Sequence, residues 1–229
     1  MENAYTLPNG TLKNLLGITD SDELEKAETD IGYTKLMNVQ DKFVKACDAN
    51  LLRRINKHIL ENVFDWAGEY RIYPVHKKED LLDGESINYA MPEDIQDELY
   101  ITTKEMSEYD WKNKSIDEIS GKFAFYLAKL WRVHPFREGN TRTILGFAKI
   151  FSKEHGFEMD MSQILDNLER VENPNTGDIE KYSIRDVFLL ASLDEEDDPE
   201  PEHLQELLKR SIVSGTEKRI EELEGFLER

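Results

Sequence analysis

Residues 134–143 read HPFREGNTRT and bring a histidine, a carboxylate and two arginines into one short bend. A helix is predicted before the bend, because Ser115 and Glu118 have the spacing of a capping box and apolar residues then recur at helical intervals. Pro135 cannot continue that helix, so we expect His134 at its last turn. Apolar residues at helical spacing resume after the bend. The stretch therefore predicts two helices joined by a short loop.

The predicted loop has the composition of a phosphate-binding site beside a base. Gly139 lets the backbone turn where the next helix starts with unpaired amides, and Arg142 adds a planar donor for phosphate oxygens. Glu138 would repel an anionic ligand unless a divalent ion lies between them, as Mg²⁺ commonly does. His134 is the group here that can take a proton from a hydroxyl near neutral pH. These residues predict a site for a metal–nucleotide complex and attack on phosphorus.

The segment resembles the signature of the Fic family, HPF-x-(D/E)-G-N-(G/K)-R, and departs from it at Thr141, where that family has Gly or Lys. The resemblance implies an all-α fold, a Fic-type helical core with a short β-hairpin flap. It implies that His134 is the catalytic base and Glu138 the Mg²⁺ ligand. The implied nucleotide-binding residues are Gly139, Asn140, Thr141 and Arg142.

The activity implied by this resemblance is that of a protein adenylyltransferase. Such an enzyme would transfer AMP from MgATP to a Ser, Thr or Tyr hydroxyl of a target protein, and we expect it to modify itself as well. Thr141 leaves the orientation of the nucleotide open, so transfer of phosphate or phosphocholine, as in other Fic relatives, is one alternative. The second alternative is a nucleotide-binding module without turnover, which the joint presence of His134 and Glu138 disfavours, since a pure binder needs no base.

A further resemblance covers Asn62–Arg71, NVFDWAGEYR, which is similar to the element leading into the family's target-docking hairpin, the flap. Residues 70–75 read as a short extended run rich in β-formers. Asp83-Gly84 is a hairpin turn signal, and residues 86–89 are the candidate return strand. The sequence thus predicts a two-stranded hairpin.

The flap defined in this way spans about residues 71–90. We expect an extended target segment to add to it as a strand, with Ile87 and Tyr89 as the docking side chains over the active site. The alternative is a hairpin that only covers the helical core. Downstream, Fic proteins close the adenine pocket, which makes Tyr182 a candidate stacking surface and Asp186 a candidate polar contact. The alternative there is an ordinary core helix.

The composition excludes several classes of protein. A net charge of −19 argues against binding to DNA or RNA backbones, which depends on Lys and Arg. Cys47 is the one cysteine, so neither an intrachain disulfide nor a cysteine-rich zinc site is possible. No leader pattern opens the sequence, and no apolar run reaches the roughly 20 residues of a membrane helix. We expect a soluble cytoplasmic protein without nucleic-acid or membrane partners.

The charge pattern divides the chain into three predicted parts. Residues 1–193 would form the Fic domain, with the active-site loop at 134–143. Residues 194–202, DEEDDPEPE, contain seven acids and two prolines and predict a solvated linker. Residues 203–229 predict a tail of two short helices, the second starting at a capping box of Ser214 and Glu217.

A terminal helix raises the question of inhibition. Many Fic proteins are held inactive by a helix with the pattern (S/T)-x-x-x-E-(G/N), whose glutamate pairs with the second arginine of the signature. Glu224-Gly225 has the right ending, but Ile220 stands in place of Ser or Thr; Ser21 and Glu25 are followed by Lys26. Neither segment meets the pattern. Control by an antitoxin-like chain or by self-association therefore stays open.

Overall fold

The computed structural model describes residues 5–43, 47–194 and 199–227. Within those ranges the chain is mainly helical, as expected, with one small sheet. The helices are α1 (Ser21–Met37), α2 (Ala49–Leu60), α3 (Ile95–Glu108), α4 (Ile116–Val133), α5 (Asn140–Glu154), α6 (Met161–Leu165), α7 (Ile184–Ala191) and α8 (Pro201–Leu227). Two 3₁₀ turns lie at Val39–Asp41 and Asp80–Leu82.

Helix α4 forms the centre of the molecule, with α3, α5, α7 and α8 packed around it. Ser115 caps its start: the Ser115 Oγ accepts from the Glu118 amide at 3.2 Å, and the Glu118 carboxylate accepts from the Ser115 amide at 2.9 Å. The predicted capping box is therefore present. The apolar face of α4 is almost fully buried, including Phe123, Leu127 and Trp131. Residues 134–139 connect α4 to α5, so the predicted helix-loop-helix is confirmed.

The predicted strands of the flap are wrong, although its turn is right. In residues 70–90 the structure has no strand, only an isolated bridge between Tyr70 and Phe136. Asp83 and Gly84 both have positive φ angles, and the Gly84 amide donates to the Glu79 carbonyl at 3.0 Å. The two arms do not form a ladder, and some of their backbone binds side chains instead: Arg71 donates to the Tyr73 and Ala90 carbonyls, and the Lys77 amide donates to the Ser86 hydroxyl.

The sheet lies elsewhere, between α6 and α7. Strands β1 (Val171–Glu172) and β2 (Ile179–Lys181) pair antiparallel, with Val171 opposite Lys181. The connection reads NPNTGD, and Gly177 has a φ of +77°. This turn chemistry is a hairpin signal that the sequence reading did not use.

The tail is one helix, which corrects the prediction of two. Ser214 does not cap a second helix, because its Oγ donates to the Asp160 carboxylate at 2.7 Å instead. Ser211 and Lys218 also bind Asp160, at 2.8 Å to its carbonyl and 2.7 Å to its carboxylate. The predicted apolar stripe of the tail is buried against α4 and α7, and comprises Leu204, Leu207, Leu208 and Ile212. The tail is thus part of the core rather than an appendage.

Only part of the predicted acidic linker can be described. Asp194 forms an ion pair with Arg132 at 2.6 Å and accepts from Asn88 at 3.1 Å, and Pro201 already begins α8. The acidic residues 195–198 lie outside the described residues. Within the described ranges, the helices are too short or too polar to cross a membrane.

Candidate active site

The imidazole of His134 is buried at the end of α4. The residue has a left-handed backbone, with φ +47° and ψ +57°, which costs energy for a side chain other than glycine. Only 2% of it is exposed, and its ring lies 4.4 Å from the ring of Tyr89 and 5.3 Å from that of Trp131. Among the described residues, neither ring nitrogen has a hydrogen-bond partner. Such a group is available to react with a ligand.

The surroundings of His134 favour its neutral form. Burial lowers the pKa of His134 well below its usual value, and the positive charges of Lys77, Arg71 and Arg185 lower this pKa further. The ring is therefore unprotonated at neutral pH. An unprotonated imidazole can accept a proton from a hydroxyl, as predicted for the base.

Hydrogen bonds from Arg71 hold the backbone around His134. The Arg71 amide donates to the Pro135 carbonyl at 2.9 Å, and its guanidinium donates to the His134 carbonyl at 2.7 Å and the Val133 carbonyl at 3.3 Å. Arg71 is 2% exposed. A buried guanidinium from the start of the flap thus fixes the last turn of α4.

The side chain of Asn140 binds the backbone of the loop at Phe136. Its side-chain oxygen accepts from the Phe136 amide at 2.9 Å, and its nitrogen donates to the Phe136 carbonyl at 2.8 Å. Both hydrogen bonds are buried, and the residue is 5% exposed. The Asn140 side chain thus shapes the loop, and the residue also lines the cavity at the first turn of α5, so its predicted contact with a nucleotide stays a prediction.

Gly139 meets the geometric expectation for a backbone cradle. It caps α5 with a φ of +76°, and an added Cβ would lie 2.9 Å from Leu60 Cδ1 and 3.3 Å from Asn56 Nδ2. The next residues start a 15-residue helix and line the cavity, and the first amides of a helix have no partner within it. At the position that departs from the signature, the Thr141 hydroxyl accepts from Trp131 Nε1 at 2.9 Å. That hydroxyl is therefore directed to α4.

Asn56 on α2 is a site residue that the sequence reading missed. Its nitrogen donates to the Glu138 carbonyl at 3.0 Å and the Thr143 hydroxyl at 3.1 Å, and its oxygen accepts from the Gly68 amide at 2.8 Å. Asn56 is 1% exposed, on the apolar face of an amphipathic helix. A polar residue on such a face was the available signal.

Glu138 is the acidic residue of the loop and lines the cavity. Its carboxylate pairs with Arg137 at 2.6 Å, and about 30% of each side chain is exposed. The described residues contain no cluster of three His, Cys, Asp or Glu side chains that could hold a metal on their own. A metal at Glu138 would thus need other ligands from phosphates and water, a donor set that suits Mg²⁺.

Arg142 is paired with a glutamate that the sequence reading overlooked. Its guanidinium forms a short ion pair with the Glu28 carboxylate on α1 and donates to the Glu28 carbonyl at 3.2 Å. Gly32 makes room for this contact, since a Cβ there would collide with Arg142. Burial raises the pKa of Glu28, Arg142 opposes this, and the nearby Glu138 and Glu25 reinforce it. Helix α1 therefore does deliver a glutamate, but it is Glu28 rather than Glu25.

One of the two predicted docking residues, Tyr89, faces the core instead of an incoming peptide. Tyr89 is 8% exposed, and its hydroxyl donates to the Glu79 carboxylate at 3.2 Å. The same carboxylate accepts from Arg185 at 2.6 Å, which ties the flap to α7. Ile87 is half-buried against the core. Tyr89 packs on the His134 ring, which differs from its predicted docking role, whereas the docking role of Ile87 stays a prediction.

The two predicted adenine contacts do not line the cavity. Asp186 is 2% exposed, caps α7 through Ser183, and binds Arg170 with both carboxylate oxygens at 2.9 and 2.7 Å. Tyr182 precedes α7, and its ring lies 4.8 Å from that of His203. The segment contributes Ile184 and Arg185 to the cavity instead.

The N-terminal arm, α1, the flap, the loop and α7 together enclose a cavity of about 740 Å³. This volume is typical of a pocket for a ligand of nucleotide size. Its acidic and basic lining residues are Glu25, Glu28, Lys77, His134, Glu138, Arg142, Glu169 and Arg185. Six residues of the signature thus line one cavity: His134, Glu138, Gly139, Asn140, Thr141 and Arg142.

Comparison with known proteins gives matches over this region. The model of the Fic/DOC family matches residues 46–152, which include the loop and both of its helices. The protein adenylyltransferase VbhT of Bartonella schoenbuchensis is 28% identical over 166 residues, which are 70% of this chain and 33% of VbhT. The protein y4lH of Sinorhizobium fredii is 28% identical over 159 residues, 67% of this chain and 76% of y4lH. The chain thus spans a third of VbhT.

A solved structure has the same fold. BepC, a VirB-translocated effector protein of Bartonella tribocorum crystallised with AMPPNP, superposes with a TM-score of 0.67 and 20% identity. The match covers 90% of this chain and 95% of that one. Residues 46–152 thus match the Fic/DOC family model, and the fold of the chain is similar to that of BepC.

Proposed function

We propose that this protein transfers AMP from ATP to a Ser, Thr or Tyr hydroxyl of a target protein, and to a hydroxyl of its own. The observation that carries the proposal is the buried, neutral imidazole of His134, with both ring nitrogens unbonded among the described residues, in a cavity that also contains Glu138 and the first turn of α5. A base and a phosphate cradle in one cavity suit attack by a hydroxyl on phosphorus.

The relatives support this reaction class. VbhT is named a protein adenylyltransferase, although this chain spans only a third of it. BepC, which shares the fold, was crystallised with an analogue of ATP. These similarities support the binding of an ATP-type ligand in the cavity of this chain.

In the proposed reaction His134 takes the proton of the target hydroxyl while that oxygen bonds to the α-phosphorus. The bond from the α-phosphorus to the bridging oxygen breaks, and pyrophosphate leaves with the electron pair. The first amides of α5, capped by Gly139, hold phosphate oxygens, and Arg142 binds the outer phosphates. Positioning and charge stabilisation would supply most of the rate, as is general for phosphoryl transfer.

Glu138 would hold Mg²⁺ together with oxygens of the phosphates. The ion, when bound, neutralises charge on the phosphates and on the leaving group. Glu138→Ala should raise the Mg²⁺ concentration needed for half-maximal transfer by about tenfold or more. An unchanged Mg²⁺ titration would remove Glu138 from the metal site.

The pair between Glu28 and Arg142 bears on regulation. The outer phosphates of ATP and the Glu28 carboxylate compete for the Arg142 guanidinium, so we expect the pair to open during ATP binding. Glu28→Gln should therefore increase the affinity for ATP by about tenfold and leave that for AMP unchanged. An antitoxin-like chain or a second copy could act by holding α1 in this position. Equal ATP affinities of variant and parent would exclude such a brake.

The test uses purified protein with Mg²⁺ and ATP labelled at the α-phosphate, in parallel with ATP labelled at the γ-phosphate. Label from the α position alone, on the protein itself or on lysate proteins, would support AMP transfer, and it should vanish in His134→Ala. The matched control is His76→Ala, an exposed flap histidine, which should retain activity. Label from the γ position alone would make the protein a kinase, and full activity of His134→Ala would overturn the assigned base.

A further inference from the structure

Lys77 lies on the flap, and its side chain lines the cavity together with His134 and Glu138. The residue is half-buried, and its amide donates to the Ser86 hydroxyl at 3.2 Å, which fixes the backbone at this point. Its neighbour Lys78 is exposed and does not line the cavity. The chain therefore places one of two adjacent lysines inside the site.

The other cations of the cavity already have carboxylate partners. Arg142 pairs with Glu28, and Arg185 pairs with Glu79 at 2.6 Å. Across the part of the chain that the structure describes, no carboxylate forms an ion pair with the Lys77 ammonium. Burial lowers the pKa of Lys77, against the attraction of Glu138. A half-buried cation without a partner is costly for a protein to keep unless an anion binds there.

The position of Lys77 relative to the base limits which part of a nucleotide it can meet. Lys77 extends from the flap, whose Tyr89 packs on the His134 ring at 4.4 Å, whereas Arg142 is held against α1 by Glu28. The two cations thus reach the cavity from different elements. Because the attacked phosphorus must adjoin the base that activates the hydroxyl, the phosphate on the His134 side is the one that is transferred.

We propose that Lys77 binds the α-phosphate of the nucleotide, an inference that rests on the proposed AMP transfer. Its ammonium donates to the non-bridging oxygens as a compact point charge and stabilises the charge on the phosphoryl group during attack. Arg142 serves the outer phosphates. The two cations divide the phosphate chain between them.

The test compares the unmodified chain with Lys77→Met, Lys77→Arg and the matched control Lys78→Met. Dissociation constants for AMP and for MgATP are measured by NMR titration, and transfer is followed with α-labelled ATP. Lys77→Met should weaken AMP and ATP binding by the same factor, about tenfold to a hundredfold, and slow transfer at saturating ATP. Lys77→Arg should restore part of the affinity, and Lys78→Met should stay within about twofold of the parent. Thermal unfolding without nucleotide checks that each variant is folded.

Each contrary result has one meaning. If Lys77→Met weakens the binding of ATP but not of AMP, the ammonium contacts the outer phosphates. If the affinity for AMP is unchanged and the KM for the target protein rises, the ammonium contacts the target. Both results overturn the inference while AMP transfer stands. No AMP binding by the unmodified chain would also overturn it. If Lys77→Met weakens AMP binding but the parent transfers nothing to any target, the phosphate contact stands and the proposed function fails.

Discussion

The active-site loop and the flap meet at His134, but they are held in different ways. Residues 134–139 are held by hydrogen bonds from Asn140 and Asn56 to the backbone, two of them buried and one partly buried. The flap, residues 71–90, has no ladder and depends on a few side chains, chiefly Arg71, Glu79 and Tyr89. The loop is therefore expected to be rigid, whereas the stability of the flap depends on a few individual side-chain contacts.

The largest effect should come from the residue that joins the two regions. Arg71→Met removes a buried guanidinium that serves four carbonyls, those of Tyr73, Ala90, Val133 and His134. Leaving these acceptors unpaired should lower the free energy of unfolding by about 3 kcal/mol. Urea denaturation measures it. Arg53→Met is the control, because its one bond to the Gly68 carbonyl is only partly buried; equal losses in both variants would contradict this account.

A smaller loss is expected inside the loop. Asn56→Ala removes the hydrogen-bond partner of the Glu138 carbonyl, the Thr143 hydroxyl and the Gly68 amide. It should lower the free energy of unfolding by about 2 kcal/mol. Transfer should fall as well, because Glu138 and the start of α5 would shift. The exposed neighbour Lys57→Ala should change neither quantity. If Asn56→Ala unfolds at the parent's urea concentration, the loop is not held as described.

The buried base should make stability depend on pH. An unfolded His134 takes up a proton below about pH 6.5, whereas the folded chain resists this because the pKa is lowered, so stability is lost as pH falls through that value. The difference in unfolding free energy between the parent and His134→Gln should decrease by at most about 1.4 kcal/mol per pH unit below 6.5 and stay flat above it. Denaturation at a series of pH values measures this. Parallel curves for both proteins would mean that His134 is solvated.

The smallest effect should be the one on the flap alone. Glu79→Gln keeps an acceptor for the Tyr89 hydroxyl but loses the charge that holds Arg185, which is partly exposed, so the cost should be about 1 kcal/mol or less. Hydrogen exchange should accelerate at the Gly84 and Lys77 amides and not in the loop. The exposed neighbour Asp80 gives the control, Asp80→Asn. If hydrogen exchange also accelerates in the loop, the loop and the flap open together as one cooperative unit, which would contradict this comparison.

Features that depend on neighbouring residues can be predicted from the sequence, whereas features that depend on distant contacts cannot. Pro135 and Gly139 act locally, so the loop and both helices were found. The strands at 70–75 and 86–89 were not, because the Arg71 guanidinium and Ser86 take hydrogen bonds that a ladder would have used. Ser214 likewise had a local capping signal that the distant Asp160 overrode.

Pairs of residues from remote segments also cannot be predicted from local sequence patterns. Glu28 reaches Arg142 across 114 positions, and nothing in the spacing around Glu28 marks it. Asn56 could have been flagged, because a polar side chain on an apolar helix face needs partners. The roles of Tyr89 and Asp186 depended on which way a side chain points, which a single sequence does not encode.

The burial of α8 has a consequence for the order in which the molecule can be made. Its Leu204, Leu207, Leu208 and Ile212 complete the apolar face of α4, the helix that carries His134 at its end. During synthesis α4 emerges long before these residues, so its face stays open to water until they arrive. We therefore expect the packing of α4, the helix that ends at His134, to be completed only after α8 has been made.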